Sequence, residues 1–146
     1  MIGLLQRVSS ARVEVAGHEV AAIGPGLLVL VGVQKDDAEA QAGRLLERVL
    51  GYRVFADAQG RMNLSLRDTG GGLLLVPQFT LAADTSSGMR AGFSTAAEPA
   101  RARQLFEALA ARARADWPQT ACGEFGADMQ VALINEGPIT FWIEAQ

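Results

Sequence analysis

The fold depends on the stretch Leu27-Leu28-Val29-Leu30-Val31-Gly32-Val33, which carries no charged side chain. A short run that is apolar at every position is typical of a strand covered on both faces. The preceding residues, Gly24-Pro25-Gly26, indicate a turn. The sequence therefore predicts a central strand with packed layers on both sides of it.

Further strands are predicted around this one. Residues Ala11–Val15 alternate between apolar and polar, Ala16-Gly17-His18 forms a turn, and Glu19–Ile23 returns as a second strand. Leu73–Leu81 is another covered strand, in which Pro77 marks an edge, a bulge or the exit because proline cannot donate to a ladder. The remaining predicted strands are 52–55, 62–66, 129–133 and 140–144, with Gly137-Pro138 turning the chain before the last one.

Two amphipathic helices are predicted. The first follows a possible capping box at Asp36-Asp37-Ala38-Glu39 and stops at Gly51, and the second follows a similar box at Thr95-Ala96-Ala97-Glu98 and stops before Pro118. Each helix has one apolar stripe at helical spacing. The stripes are Ala42, Leu45, Leu46, Val49 and Leu50 in the first, and Ala102, Leu105, Phe106, Leu109, Ala110 and Ala113 in the second.

These elements predict an α/β fold, a mixed sheet with two amphipathic helices packed on it. The chain has 146 residues, of which 49% are apolar, so a single domain over residues 1–146 can bury a core. The polar segment 82–94 is predicted to be a loop, and a loop of this length in a compact domain is often functional.

Composition argues against several classes of protein. The sequence lacks the long apolar run of a transmembrane helix, and its N-terminus lacks the pattern of a signal peptide. A single cysteine, Cys122, cannot form an internal disulfide, which suits a reducing cytosol. We therefore expect a cytoplasmic protein without membrane contact. The net charge of −3 argues against broad binding of DNA or RNA, but not against recognition of one terminal nucleotide.

Conventional catalytic groups are scarce. The chain has one histidine, His18, in a predicted turn, and Cys122 stands apart from other catalytic signals. We interpret His18 as a solvated turn histidine and Cys122 as a structural or incidental thiol, and we expect no metal and no cofactor. If the protein is an enzyme, backbone groups, hydroxyls and the substrate must supply the chemistry.

Two segments can collect such groups: Pro77-Gln78-Phe79-Thr80-Leu81 and Asn135-Glu136-Gly137-Pro138-Ile139-Thr140. Gly137-Pro138 alone is best interpreted as a turn. A cis X-Pro bond costs only about 0.5–1 kcal/mol, however, and such a bond can aim two carbonyl oxygens at one ammonium group. At the other segment, amides exposed at a strand break can stabilise an oxyanion.

The whole chain resembles the D-aminoacyl-tRNA deacylases. The resemblance rests on six ordered segments, of which any one alone is unspecific. They are Leu5-Gln6-Arg7-Val8-Ser9-Ser10-Ala11, residues 23–33, Met62-Asn63-Leu64-Ser65-Leu66, Gln78-Phe79-Thr80-Leu81, Phe125-Gly126-Ala127-Asp128-Met129-Gln130-Val131 and Asn135–Thr140.

The resemblance implies a homodimer built on a barrel-like sheet, with two sites at the subunit interface. The Gly137-Pro138 bond would be cis, and the two carbonyls would hold the substrate's α-amino group in the partner's site. An L side chain would meet the wall while a D side chain points outward, and glycyl-tRNA would pass as a second substrate. The reaction implied is hydrolysis of the ester to the 3′-terminal adenosine of the aminoacyl-tRNA.

The resemblance also suggests residue roles. The Phe79 amide would donate to the oxyanion, Gln78 would position the substrate, Thr80 would orient water, and Met129 would pack against adenine. Two departures stand out: Pro77 replaces the family's usual Ser, and Arg90-Ala91-Gly92-Phe93 stands where Arg-Pro-Ser-Phe is common. The alternatives are a non-catalytic module that binds the tRNA 3′ end, a deacylase of relaxed chirality, and a purely structural homodimer.

Overall fold

A computed structural model describes all residues from Met1 to Gln146. It contains eight strands, three α-helices and one short 3₁₀ helix. The strands are β1 (Ile2–Val15), β2 (His18–Ile23), β3 (Gly26–Gly32), β4 (Phe55–Ala56), β5 (Met62–Leu64), β6 (Gly72–Pro77), β7 (Thr120–Cys122) and β8 (Met129–Glu144). The helices are α1 (Glu39–Gly51), α2 (Leu66–Thr69) and α3 (Pro99–Asp116), and the 3₁₀ helix covers Phe79–Ala82.

The long strand β1 organises the main sheet. Its first half pairs antiparallel with β3, its second half pairs with β2, and β8 pairs along its opposite edge. Beyond β3, strands β6 and β7 follow in parallel register, which gives the order β2-β1-β3-β6-β7 with β8 attached to β1. The result is the predicted mixed sheet, curled into a nearly closed barrel.

The sheet buries two separate cores, because alternate residues of a strand point to opposite faces. In β3, Leu27, Val29 and Val31 belong to the larger cluster shared with α1 and α3. Leu28 points the other way and packs with Leu74 and Val76 of β6 inside the barrel. This confirms the prediction of a central strand covered on both faces.

Both amphipathic helices are confirmed, and every residue of the two predicted stripes is buried. The predicted caps are wrong. Helix α1 begins after Ala38, whose amide donates to Oε1 of Gln41 at 2.9 Å. Asp36 makes no cap, and the neighbouring Asp37 carboxylate instead lies 2.6 Å from the Met1 ammonium group.

The second predicted cap fails for a different reason. Helix α3 begins at Pro99, and its N-cap Glu98 makes no side-chain cap bond. Proline suits the first helical position because its φ is already helical and its missing N–H would have no partner there. Thr95 lies too far upstream to cap, and its hydroxyl donates to the Ala82 carbonyl at 2.5 Å.

Two predicted strands end early. Strand β6 stops at Pro77, so the prediction of a strand up to Leu81 is wrong after that residue. Around 62–66, strand β5 ends at Leu64 and α2 begins at Leu66. The cause is a reciprocal cap, in which the Asp68 amide donates to Ser65 Oγ and the Ser65 amide donates to the Asp68 carboxylate at 2.8 Å. This bond from the Ser65 backbone also lowers the pKa of Asp68.

The C-terminal third differs most from the prediction. Gly137-Pro138 does not reverse the chain, because Met129–Glu144 runs as one strand, β8, along β1. The first half of β1 was not predicted, although the strand runs from Ile2 to Val15. None of the helices is long and apolar enough to cross a membrane.

The parallel pairing of β3 with β6 begins at a close backbone contact between Gly26 and Gly72. This contact predicts the effect of a substitution at Gly26. A Cβ on Gly26 would lie 2.0 Å from the Gly72 carbonyl oxygen, whereas a Cβ on Gly24 would meet nothing within 4 Å. We expect Gly26→Ala to lower the free energy of unfolding by about 1–3 kcal/mol, since an overpacked site relaxes only through backbone shifts. Urea unfolding measures this.

The matched control for that variant is Gly24→Ala, two residues away on the same turn. It should change the free energy of unfolding by less than about 0.5 kcal/mol, as open surface positions do. Equal stability of the two variants would contradict the close-contact argument.

Candidate functional site

A mostly apolar cavity lies where β6 ends. Its volume is about 450 Å³, and it lies between the end of β6, the first turns of α3 and the segment that leads into β8. None of its lining side chains ionises. The lining residues are Val76, Pro77, Gln78, Phe79, Ala97, Pro99, Ala102, Phe125, Gly126, Ala127, Met129 and Val131.

The break after Pro77 places backbone groups at this cavity. The Gln78 amide donates to the Val31 carbonyl at 2.7 Å, and the chain then turns into the 3₁₀ helix. Gly32 leaves room for this turn, since a Cβ there would lie 2.8 Å from Leu81 Cβ. Phe79 is the first residue of the helix, so its amide has no acceptor within that helix.

The side chains of Gln78 and Thr80 are coupled. Nε2 of Gln78 donates to the Thr80 hydroxyl at 2.5 Å. Thr80 itself is exposed and does not line the cavity. The bond fixes the Gln78 amide and leaves its carbonyl oxygen able to accept from another group.

Met129 closes the opposite side of the cavity. Its sulfur lies 3.4 Å from the Glu124 amide, which ties the first residue of β8 to the preceding turn. Phe125, Gly126 and Ala127 in that turn form one wall. The structure therefore brings Gln78, Phe79 and Met129 together around one cavity, as three of the six predicted site residues.

Gly137 and Pro138 lie elsewhere, in a bulge of β8. Gln6 of β1 pairs with Thr140 and Val8 pairs with Asn135, so residues 136–139 all stand opposite Arg7. Within the bulge, the Gly137–Pro138 peptide bond is cis and Gly137 has φ of +117°. Both residues are exposed, and neither lines the cavity of its own chain.

Two residues that sequence reasoning left without a role hold this bulge. Nδ2 of Asn135 donates to the carbonyls of Arg7 and Ile139, at 2.9 Å each, and so closes the base of the bulge. The Arg7 guanidinium lies below, bound through NH1 to the Val54 carbonyl at 2.8 Å. An asparagine two residues before Gly-Pro was the available signal. The sequence indicated no role for Arg7, because its partners are distant along the chain.

The cavity and the bulge are well separated within one chain. In β8, Met129 pairs with Val15 of β1, and Asn135 pairs with Val8 of β1. At about 3.3 Å per residue, this separation is roughly 20 Å along the strand. A ligand that fills the cavity of one chain therefore does not reach the bulge of the same chain along this strand.

The remaining candidates do not join the cavity. His18 is exposed at the start of β2, and no three His, Cys, Asp or Glu side chains form a cluster that could hold a metal. Cys122 is half-buried in β7, and burial raises the pKa of its thiol, although Arg114 opposes the shift. A raised pKa lowers the thiolate fraction, which agrees with the interpretation of Cys122 as structural.

Comparison with known proteins identifies the family. The sequence profile of the family described as D-Tyr-tRNA(Tyr) deacylase matches residues 4–144. The chain belongs to this family. A D-aminoacyl-tRNA deacylase of Thioalkalivibrio sulfidiphilus is 65% identical to this member over 99% of its length and 97% of the relative's.

Solved structures agree on the fold of this deacylase family. The c-Myc DNA Unwinding Element Binding Protein has a TM-score of 0.95 and 32% identity, covering 100% of this chain and 99% of that one. A structure described as a "probable eukaryotic D-amino acid tRNA deacylase" has a TM-score of 0.85 over 98% of both chains. At 17% identity it shows the fold alone.

The raised pKa of Cys122 generates a prediction about its reactivity. We expect iodoacetamide at about pH 8 to alkylate the native protein much more slowly than the urea-unfolded protein, because thiolate is the reactive form. The rate should rise with pH beyond the range of an ordinary thiol. Mass spectrometry of the alkylated fraction measures both rates. Equal rates in the native and unfolded states would contradict the assignment of Cys122 as a desolvated thiol.

Proposed function

We propose that this member of the deacylase family hydrolyses the ester between a D-amino acid and the 3′-terminal adenosine of tRNA, acting as a homodimer without metal or cofactor. The observation that carries the proposal is the cavity at which Gln78, Phe79 and Met129 meet. We expect it to act in the cytoplasm, where a single thiol stays reduced.

Phe79 provides the electrostatic part of the proposed mechanism. Water adds to the ester carbonyl carbon, and the oxyanion that forms accepts the Phe79 N–H. When the carbonyl re-forms, the bond to the ribose oxygen breaks and that oxygen takes the proton lost by water. The products are the free D-amino acid and tRNA. One positioned oxyanion donor is worth about 2.7–4 kcal/mol.

The proton transfer must use groups other than protein acids and bases, because no lining residue of the cavity ionises. Thr80 lacks a neighbouring base and its hydroxyl accepts from Gln78, so it is no nucleophile. Its role is to hold the Gln78 amide, whose carbonyl oxygen orients the attacking water or the α-amino group. The ribose hydroxyl beside the ester relays the proton.

Met129 and the adjoining turn hold the adenosine. The apolar wall from Phe125 to Met129 suits a flat base, which is stabilised by packing against aromatic and apolar side chains. The cavity volume of about 450 Å³ is within the range of small-molecule sites. The negative net charge of the protein favours recognition of one nucleotide over broad backbone contact. The same charge argues against broad binding of DNA by this chain.

The bulge provides the chiral selection. The Gly137 and Pro138 carbonyls bind the α-amino group of a substrate held in the partner's cavity. The rigid backbone then leaves no room for an L side chain, while a D side chain points outward. Glycine has no side chain and passes. A site that excludes L side chains with its backbone can accept many different D side chains. An apolar pocket accepts few side chains, and it discriminates between similar substrates by only about 10–200-fold.

Strand β8 favours a dimer. Its second edge has no neighbour within the chain, and Ile134 and Trp142 on it are 62% and 52% exposed. An open strand edge with large apolar side chains is a template for pairing with another chain. In a two-fold dimer, each bulge can then serve the other subunit's cavity.

A deacylase of relaxed chirality is the second candidate. Pro77 lines the cavity beside Gln78, where a serine is usual in the resemblance described above, and this residue has neither a hydroxyl nor an amide N–H. Rates on glycyl-, L-alanyl- and D-tyrosyl-tRNA separate the two candidates.

The direct test of the proposed function uses paired D- and L-tyrosyl-tRNA with EDTA present. We expect rapid loss of the D ester and survival of the L ester, since only the D side chain avoids the backbone wall. Loss of both esters would support relaxed chirality. If neither ester is lost but a stable D-aminoacyl-adenosine analogue binds, the protein is a binding module. If the analogue also leaves the melting temperature unchanged, the protein is structural.

Mixing two inactive dimers tests the proposed contribution of the partner. Phe79→Pro removes the amide donor at a position where proline is tolerated, and we expect a loss of about 10²–10³-fold. Gly137→Ala with Pro138→Ala should abolish the clamp. When the two variants are unfolded together and refolded, about half of the dimers should contain one chain of each. A mixed dimer has one intact site out of two, so about a quarter of native activity should return.

The control for the proline variant is Phe79→Ala, which removes the ring but keeps the amide and should lose far less activity. Recovery of activity on mixing is possible only if cavity and bulge act across subunits. Absence of recovery, with both variants folded and dimeric, would place the clamp within one chain. Native rates in the double variant would refute the clamp itself.

A further inference from the structure

We propose that Arg103 is a positioning residue for the terminal adenosine, because it holds Phe125 as one wall of the cavity. This inference rests on the proposed function of the cavity. Arg103 lies on α3 beside Ala102, which lines the cavity. It does not line the cavity itself and acts through the turn 124–128.

Phe125 is held between two side chains of α3. The Arg103 guanidinium carbon lies 5.0 Å from the centroid of the Phe125 ring, and the Phe106 ring lies 6.3 Å away on a tilted plane. NH2 of Arg103 also donates to the Phe125 carbonyl at 3.3 Å. One guanidinium therefore contacts both the ring and the backbone of the same wall residue.

The backbone of the turn is shaped to admit this guanidinium. Gly126 has φ of +81°, and a Cβ added to it would lie 3.2 Å from NH2 of Arg103. Glycine reaches this conformation at low cost and keeps the approach open. The turn therefore brings its backbone close to the Arg103 guanidinium at Gly126 as well as at the Phe125 carbonyl.

Little else fixes the outer side of the turn. Its other bonds run inward, from the Gly123 amide to the Leu75 carbonyl, or within the turn, from the Ala127 amide to the Glu124 carbonyl. The Glu124 amide faces the Met129 sulfur, a weak acceptor. Without Arg103, the Phe125 ring would keep its packing against Phe106 and the core but would lose the contact that holds its outer side.

A simple surface ion pair is the competing explanation, because Arg103 also lies 3.6 Å from Glu107 on the next turn of α3. Both side chains are more than half exposed, and such pairs contribute little. The contacts with Phe125 and the contact with Glu107 use different partners, so single substitutions separate them.

The test measures kcat and KM with two substrates, D-tyrosyl-tRNA and D-tyrosyl-adenosine, which has no phosphate. Arg103→Met keeps the aliphatic stem and should raise KM about 5-fold on both substrates, the size expected for losing an exposed cation–π contact and a hydrogen bond. It should leave kcat within about 2-fold, because no reacting atom is touched. Arg103→Lys keeps a cation near the ring and should recover part of the loss.

Two controls isolate the contact with Phe125. Glu107→Gln removes the ion pair, and Arg101→Met removes a neighbouring arginine whose guanidinium donates to Gln104; both should keep the native KM. An unchanged KM in Arg103→Met would overturn the proposal, as would an equal rise in Glu107→Gln. A rise confined to D-tyrosyl-tRNA would assign Arg103 to the RNA backbone instead and would also overturn it.

Failure of the proposed function would look different. If the native protein hydrolyses neither ester, calorimetric binding of a non-hydrolysable D-tyrosyl-aminoadenosine still tests Arg103. Weaker binding of this amide by Arg103→Met than by Glu107→Gln would support the positioning role without catalysis. Equal binding by the two variants would contradict it.

Discussion

The parallel pairing of β3 with β6 is the constraint on which the rest of the structure depends. It begins where Gly26 and Gly72 approach too closely for any side chain, and it ends where Val31 meets Pro77. Because proline has no N–H, the ladder cannot continue through it unchanged. The last bond, from the Gln78 amide to the Val31 carbonyl, fixes the point at which the chain leaves the sheet. The free amide of Phe79 and the cavity follow from that exit.

A cavity without ionising side chains limits the chemistry that this site can perform. General acid–base catalysis by the protein needs a group that titrates within hydrogen-bond reach of the reacting atoms, and the lining residues offer none. Fixed backbone dipoles do not have that requirement, since they act without gaining or losing a proton. A site of this kind suits a substrate that is already reactive. An aminoacyl ester with a neighbouring ribose hydroxyl meets this condition, whereas a stable amide would not.

The elements that could be predicted are those whose signal is local. The apolar stretch 27–33 and the two helical stripes identify themselves by periodicity, and the turn at Gly17 by its composition. The failures share a different cause, which is competition from distant or reciprocal partners. Ser65 and Asp68 cap each other and begin a helix where a strand pattern stood, while the Met1 ammonium binds Asp37. The segment after Pro77 has strand-like residues, but its geometry depends on the room that Gly32 leaves.

The residues of the candidate site also differ in whether their signal in the sequence is local. Pro77, Gln78 and Phe79 are contiguous, so a sequence can indicate them, and Met129 comes through resemblance to the family. Arg7, Asn135 and Arg103 each bind a carbonyl 22 to 128 positions away in the chain, and these contacts become visible only in the folded structure. The bulge shows why this matters for selection. Asn135 closes its base by binding the Arg7 and Ile139 carbonyls, and the proposed selection by backbone requires a bulge that keeps its shape. The shape of the bulge therefore depends on an amide side chain and on its pairing with β1, as well as on the two residues proposed to touch the substrate.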